Sequence, residues 1–188
     1  MTRNIKEYKK WHKPINEEKT NFHQGYFHPR HPEKCLSREN IYRSGWEFHF
    51  MRYLDDNPII NRWASEPISI TYLNPIKNRR YCLANGLNPN DPHNWVPSQY
   101  FLDFWYEVVE SDGTVKKTFV EIKPYAQTQK PKPLNESAPL KDHRRYIREC
   151  DTYLVNIQKW LAASKYCKDR GANFIIVTEK TLKQLGLL

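Results

Sequence analysis

Four ionisable side chains, Glu47, Asp103, Glu121 and Lys123, stand among residues that belong in a protein core. The last two are two positions apart in Phe119-Val-Glu-Ile-Lys-Pro124, where Val120 and Ile122 alternate with them. Burying carboxylates and an ammonium is costly unless a metal or another charge compensates them. Three acids and a base match the demands of phosphodiester hydrolysis: a divalent ion on the phosphate, an aligned water, and positive charge where negative charge develops. Hard Mg²⁺, for which Mn²⁺ substitutes, prefers carboxylate and water oxygens, so Asp103 and Glu121 are the expected ligands. Glu47 would bind a second metal or orient a metal-bound water, and Lys123 would position or deprotonate the attacking water. The competing interpretation is a surface ion pair between Glu121 and Lys123 with Asp103 at a strand edge. The placement of Glu47 weighs against it.

The elements that must position these groups are legible in part. Ser44 is a plausible N-cap for a helix over Gly45–Asp56, whose Trp46, Phe50, Met51 and Leu54 form a stripe. Glu47 falls inside that apolar arc and is expected to face the core. Residues 59–65 and 68–73 read as strands separated by Glu66-Pro67, with Glu66 either a further carboxylate or a strand end. Residues 99–109 and 115–123 read as two more strands, joined through Ser111-Asp112-Gly113. A two-residue Asp-Gly turn would set Asp103 beside Ile122. A three-residue Ser-Asp-Gly loop with Gly113 left-handed pairs Glu110 with Thr114 instead and puts Asp103 opposite Glu121. Lys123 then shares a face with Glu121, while Val120 and Ile122 point the other way.

Elsewhere the chain reads as follows. Residues 1–40, with Arg3, Lys6, Lys9, Lys10, Lys13 and Lys19 and then a His- and Pro-rich stretch, suggest an extended basic arm ahead of a single domain over 41–188. Residues 74–98, rich in proline, suggest a long loop carrying Lys77, Arg79 and Arg80. A second basic loop, residues 124–140, holds Lys130 and Lys132. A long helix follows over 142–170, with Ile147, Cys150, Leu154, Ile157 and Leu161 at spacings of three and four and Gly171 at its end. A short buried strand over 173–178 and a helix over 180–185 complete the chain. His28, His31 and Cys35, with His23 nearby, have ligand chemistry for zinc. Pro29 and Pro32 interrupt them, and no C-x-x-C pair supports them, which favours a loop with incidental histidines.

The chain has 188 residues, long enough for one well-buried domain. Lys and Arg outnumber Asp and Glu by 30 to 21, for a net charge of +9, so a polyanion, DNA first, is the expected partner. The four cysteines, Cys35, Cys82, Cys150 and Cys167, form no paired motif and are expected as free thiols. The opening 20 residues are polar and charged, unlike a secretory signal, and no apolar run approaches the roughly 20 residues of a membrane span.

An upstream helical Glu followed by D…E-x-K resembles the signature of the PD-(D/E)xK, or restriction-endonuclease-like, nuclease superfamily. Within it the chain looks most like the head-completion nucleases of T4-type tailed phages. The resemblance runs through Gln24-Gly-Tyr26, Ile41-Tyr-Arg-Ser-Gly-Trp-Glu47, Trp63-Ala-Ser-Glu66, Tyr100-Phe-Leu-Asp103, Val120-Glu-Ile-Lys-Pro124, Asn156-Ile-Gln-Lys-Trp160 and Phe174-Ile-Ile-Val-Thr-Glu179. Leu102 stands where the motif's name has proline, a position that carries no chemistry. The resemblance implies an α/β fold with a central mixed sheet flanked by helices, and catalytic places for Glu47, Asp103, Glu121 and Lys123. It also brings the long helix, with Tyr153, Asn156, Lys159 and Trp160, toward the site. Arg43, Arg79, Arg80, Lys130, Lys132 and Lys159 are the expected DNA contacts. The implied activity is Mg²⁺-dependent DNA cleavage with little sequence preference during phage head completion, without a small-molecule cofactor. The partners would be DNA and phage head, portal or neck proteins; the place would be the cytoplasm of the infected bacterium or the virion. The alternatives are a transposon-end or restriction-type endonuclease and a non-enzymatic DNA-binding component of the head.

Overall fold

The computed structural model describes residues 24–188. The bases Arg3 to Lys19 and His23 therefore lie outside the described residues. In chain order the elements are β1 (Gly25–Tyr26), β2 (Ile41–Tyr42), α1 (Gly45–Asp56), β3 (Ile60–Ser65), β4 (Ser69–Tyr72) and α2 (Pro75–Ala84). They continue with β5 (Ser98–Phe101), β6 (Phe104–Val109), β7 (Val115–Ile122), α3 (Tyr125–Thr128), α4 (Leu140–Lys168), β8 (Asn173–Val177) and α5 (Glu179–Gln184).

The central sheet has the order β3-β6-β7-β8, antiparallel except for the parallel pair β7 and β8. It is the mixed sheet flanked by helices that the sequence implied. Alternation along β7 feeds two cores. Val120 and Ile122 join Phe50, Met51 and Leu54 of α1 with Trp63, Phe104, Val177 and Leu182 on one face. Phe119 joins Tyr72, Tyr100, Leu102, Ala163 and Cys167 on the other, under α4. Glu121 is in register with Phe119 and so belongs to the α4 face.

The hairpin between β6 and β7 has the expected three-residue loop: the Glu110 N–H donates to the Thr114 carbonyl at 2.9 Å, and Gly113 takes φ of 82°. Pairing then runs from Val109 opposite Val115 to Phe104 opposite Val120. The next step would set Asp103 on Glu121, but the ladder stops at Phe104. Residues 99–109 are not one strand. Tyr100 pairs with Ile70 in a separate two-stranded sheet of β4 and β5, and the chain bends at Leu102-Asp103 to enter the central sheet. Both halves are aromatic and β-branched, so composition hides the break.

Three further expectations are corrected. The first ten residues of the proline-rich segment after Asn74 form α2. The Asn74 side chain accepts from the N–H groups of Ile76 and Lys77, and Pro75 takes the first helical position, where its missing N–H costs nothing. Arg79 and Arg80 are thus on a helix, not in a loop. Along α4 the buried residues are Asn156, Trp160, Ala163 and Cys167, whereas Ile147, Leu154 and Leu161 of the apolar stripe are exposed.

The third concerns residues 24–40, which are not an extended arm. The buried Asp55 carboxylate accepts from the backbone N–H groups of Arg30 at 2.7 Å and His31 at 3.3 Å. Lys34 donates to the carbonyls of Asp55 and Asn57, closing the end of α1. The His- and Pro-rich stretch is a strap held to α1. Among the described residues no three of His, Cys, Asp and Glu gather to hold a metal, so His28, His31 and Cys35 form no zinc site there. The cysteines are free, and no described helix is long and apolar enough to cross a membrane.

Candidate active site

Asp103 stands at the bend between the two sheets, where a strand break brings its carboxylate back over β7. Its Oδ2 accepts the Ile122 N–H at 2.7 Å, and its backbone carbonyl accepts the Glu66 N–H at 2.8 Å. The side chain is thereby tied to the strand that carries Glu121 and Lys123. Burial first, and then the charge of Glu121, push its pKa well above the ordinary carboxylate range.

Glu121 is 1% exposed. Its Oε1 lies 2.9 Å from Lys123 Nζ, while its Oε2 is buried without a hydrogen-bond partner. Burial works to lower the pKa of Lys123, but the charges of Glu121 and Asp103 outweigh it and hold the ammonium above its usual value. A protonated Lys123 between two acids is what the E-x-K spacing delivers once both side chains share a strand face.

Glu47 is brought near this group but is otherwise engaged. Its Oε2 accepts the Arg43 N–H at 2.8 Å, and its Oε1 accepts the Ser44 hydroxyl at 3.0 Å, while the Ser44 side chain accepts the Glu47 N–H. It sits at the third position of α1, closing the helix end in the manner of a capping box. It is half-buried rather than facing the core. Burial raises its pKa, and Lys123 is near enough to oppose that rise. Each Glu47 oxygen accepts one hydrogen bond, which leaves lone pairs on both, and among the described residues no group of three such ligands stands close enough to hold a metal.

Lys159 approaches from α4. Its Nζ lies 4.9 Å from the centre of the Tyr100 ring and 5.9 Å from that of Tyr72. Burial lowers its pKa; the charges of Glu121 and Asp103 act the other way, and those of Lys123 and Lys77 reinforce the drop. Arg43 is at the rim, its Nε 3.8 Å from Glu66 Oε1. Glu66 holds φ of 43°, the left-handed region that costs a residue with a side chain about 1 kcal/mol or more. Arg79, Arg80, Lys130 and Lys132 are exposed, outside the acid cluster.

Tyr100 was visible only as part of an aromatic strand. Its buried hydroxyl faces the Glu121 carboxylate without reaching ordinary hydrogen-bond distance, and burial, the Glu121 charge and that contact raise its pKa far above the phenol range. Asn156 Nδ2 and Trp160 Nε1, on the same helix as Lys159, are also buried without partners. No spacing rule points to such groups, because their burial depends on which face of α4 meets the sheets.

The donor set fits a hard divalent cation at Asp103 and Glu121. Glu121 Oε2 is an orphaned buried oxygen, Asp103 resists ionisation because burial and the Glu121 charge outweigh Lys123, and both are oxygen ligands of the kind Mg²⁺ takes. The family described as TnsA-like endonuclease N terminal matches residues 57–179. The head completion nuclease of Enterobacteria phage T4 is 36% identical over 146 residues, spanning 77% of this chain and 82% of that protein.

Proposed function

The chain belongs to the TnsA-like endonuclease family, and from that membership we propose that it is a divalent-metal-dependent DNA nuclease of low sequence preference that serves phage head completion. The observation that carries the reading is the trio Asp103, Glu121 and Lys123, in which a buried carboxylate oxygen has no partner. Asp103 and Glu121 would hold Mg²⁺ or Mn²⁺, which when bound supplies Lewis-acid polarisation of the phosphate and a more acidic water. Lys123, kept protonated by its two acids, places a fixed cation where a phosphate oxygen gains charge. Lys123 would position the attacking water, and with the charges that hold its proton offset by a metal on Asp103 and Glu121 it would also deprotonate that water. Glu47 adds negative charge behind Lys123 and fixes the start of α1 beside the site.

Lys159, with Lys77 beyond it, continues the positive charge away from the acids, toward where the DNA backbone would lie. Arg43, Arg79, Arg80, Lys130 and Lys132 supply further phosphate contacts. They come from separate elements rather than one recognition helix, which supports backbone binding over base readout. The relative's name, head completion nuclease, supports the biological setting, with phage head, portal or neck proteins as partners and the infected cell or the virion as the place. The family's description favours a second reading, a transposon-end type of endonuclease that selects its site.

Supercoiled plasmid incubated with and without Mg²⁺ tests the proposal. Nicking or digestion only with metal, at many positions, is the expected result. A footprint at one sequence that survives high salt would favour the second reading, and binding without cleavage at any metal concentration would leave a DNA-binding head component.

A further inference from the structure

Leu140, Ile147, Leu154 and Leu161 lie seven residues apart along α4 and are 67%, 58%, 49% and 60% exposed. A single exposed leucine is ordinary, but a row of four on one line is not. Successive positions at this spacing drift only about 20° around an α-helix, so they form a nearly straight seam. Packing on a sheet does not need such a seam; a second helix lying lengthwise does. The outer line of the helix is free to receive one: α4 packs inward through Val155 and touches α3, while the four seam residues stay exposed over the roughly 32 Å from Leu140 to Leu161.

The charges beside the seam say what kind of helix. Lys141, Arg144 and Arg148 are exposed and in no ion pair among the described residues. Arg145 is held by Asp142 and Glu149, and Lys165 by Asp169. Against the free cations stands Asp151. DNA would satisfy the cations but would press phosphates against leucines. A second copy in either orientation would bring the same surplus of free cations onto an identical face, and in parallel would set Arg144 on Arg144 and Arg148 on Arg148, on chains that each carry +9. We propose that the seam of Leu140, Ile147, Leu154 and Leu161 is the docking site for an acidic amphipathic helix of a partner protein, lying along α4. The seam is separate from the acid cluster, and cleavage does not depend on it.

The test uses the full chain and two labelled synthetic helical peptides, each about four heptads long with the same leucine seam, one flanked by Glu and one by Lys. Fluorescence anisotropy should give the Glu-flanked peptide at least about ten-fold tighter binding than the Lys-flanked one. Ile147→Asp with Leu154→Asp should abolish that binding while Tm and plasmid cleavage stay as in the wild type. Arg144→Glu with Arg148→Glu should reverse the preference between peptides. Equal binding of both peptides, or of neither, overturns the proposal. So does a large fall in Tm on Ile147→Asp with Leu154→Asp, which would make the seam part of the core. A dimer in sedimentation that those substitutions dissociate would assign the seam to a second copy instead.

Discussion

At the scale of single residues, Asp103 and Lys123 both have raised pKa values but for different reasons, burial opposing the charge of the one and neighbouring acids favouring the charge of the other, and that separates chemistry from folding. Asp103 has its folded pKa raised by burial and by Glu121, so the folded chain keeps a proton that the unfolded chain releases near pH 4. Stability of the metal-free protein should therefore fall as pH rises from about 4 toward the raised value and then level. Asp103→Asn should flatten that limb and raise Tm near neutrality, yet reduce cleavage at least about 10²-fold with DNA affinity nearly intact. Thermal melts across pH, paired with plasmid cleavage, decide the matter; parallel limbs in both proteins would refute the assignment. Lys123 has a raised folded pKa, so its stabilisation is present below its unfolded pKa and lost as pH climbs through the higher folded one. Lys123→Ala leaves Glu121 buried without its counter-charge, so Tm should drop while kcat falls about 10²- to 10³-fold and KM for DNA moves little. Two variants that lose activity with Tm shifts of opposite sign cannot both be explained by unfolding.

At the scale of elements, the sequence was most readable where a local rule acts alone. Ser44 before Gly45 marked the start of α1, and Ser111-Asp112-Gly113 set the register that brings Asp103 toward Glu121. It was least readable where tertiary contacts choose between locally equivalent options. Residues 99–109 all favour extended backbone, and only the Leu102 side chain, fully buried under α4, accounts for the chain leaving one sheet for another. Periodicity located α4 but misjudged its face, because Asn156 and Trp160 are buried while the leucines are not. Glu47 was read from its apolar neighbours, when its place at the third position of α1 also fits a cap. The helix α2 was missed because proline was counted as a breaker, although Asn74-Pro75 is a start signal. Asn74 is buried, accepts two N–H groups and donates to the Tyr72 hydroxyl at 3.0 Å. Asn74→Ala should therefore cost about 2 kcal/mol, the upper end for a lost cap, in a urea melt. A loss of a few tenths would mean that α2 stands without its cap.

At the scale of the whole molecule, the net charge of +9 acts as a field, and its distribution fixes how DNA affinity responds to salt. Each phosphate contact adds roughly 0.9 to the slope of log affinity against log salt. Arg79 and Arg80, side by side on α2, should together account for about 1.8 of that slope, so replacing both with Ala should reduce it by that amount without touching the acid cluster. Residues 1–20 hold six bases against three acids, a net +3, or a third of the charge of the chain. Their removal should flatten the slope further and raise KM for DNA at physiological salt, while kcat on saturating plasmid stays within about two-fold, because Asp103, Glu121 and Lys123 are assembled by the sheet. Salt-titrated binding and single-turnover cleavage of the truncated chain would show both. If kcat collapsed with residues 1–20 removed, they would have to act at the acid cluster itself, and the division between a binding field and a cleaving site would fail.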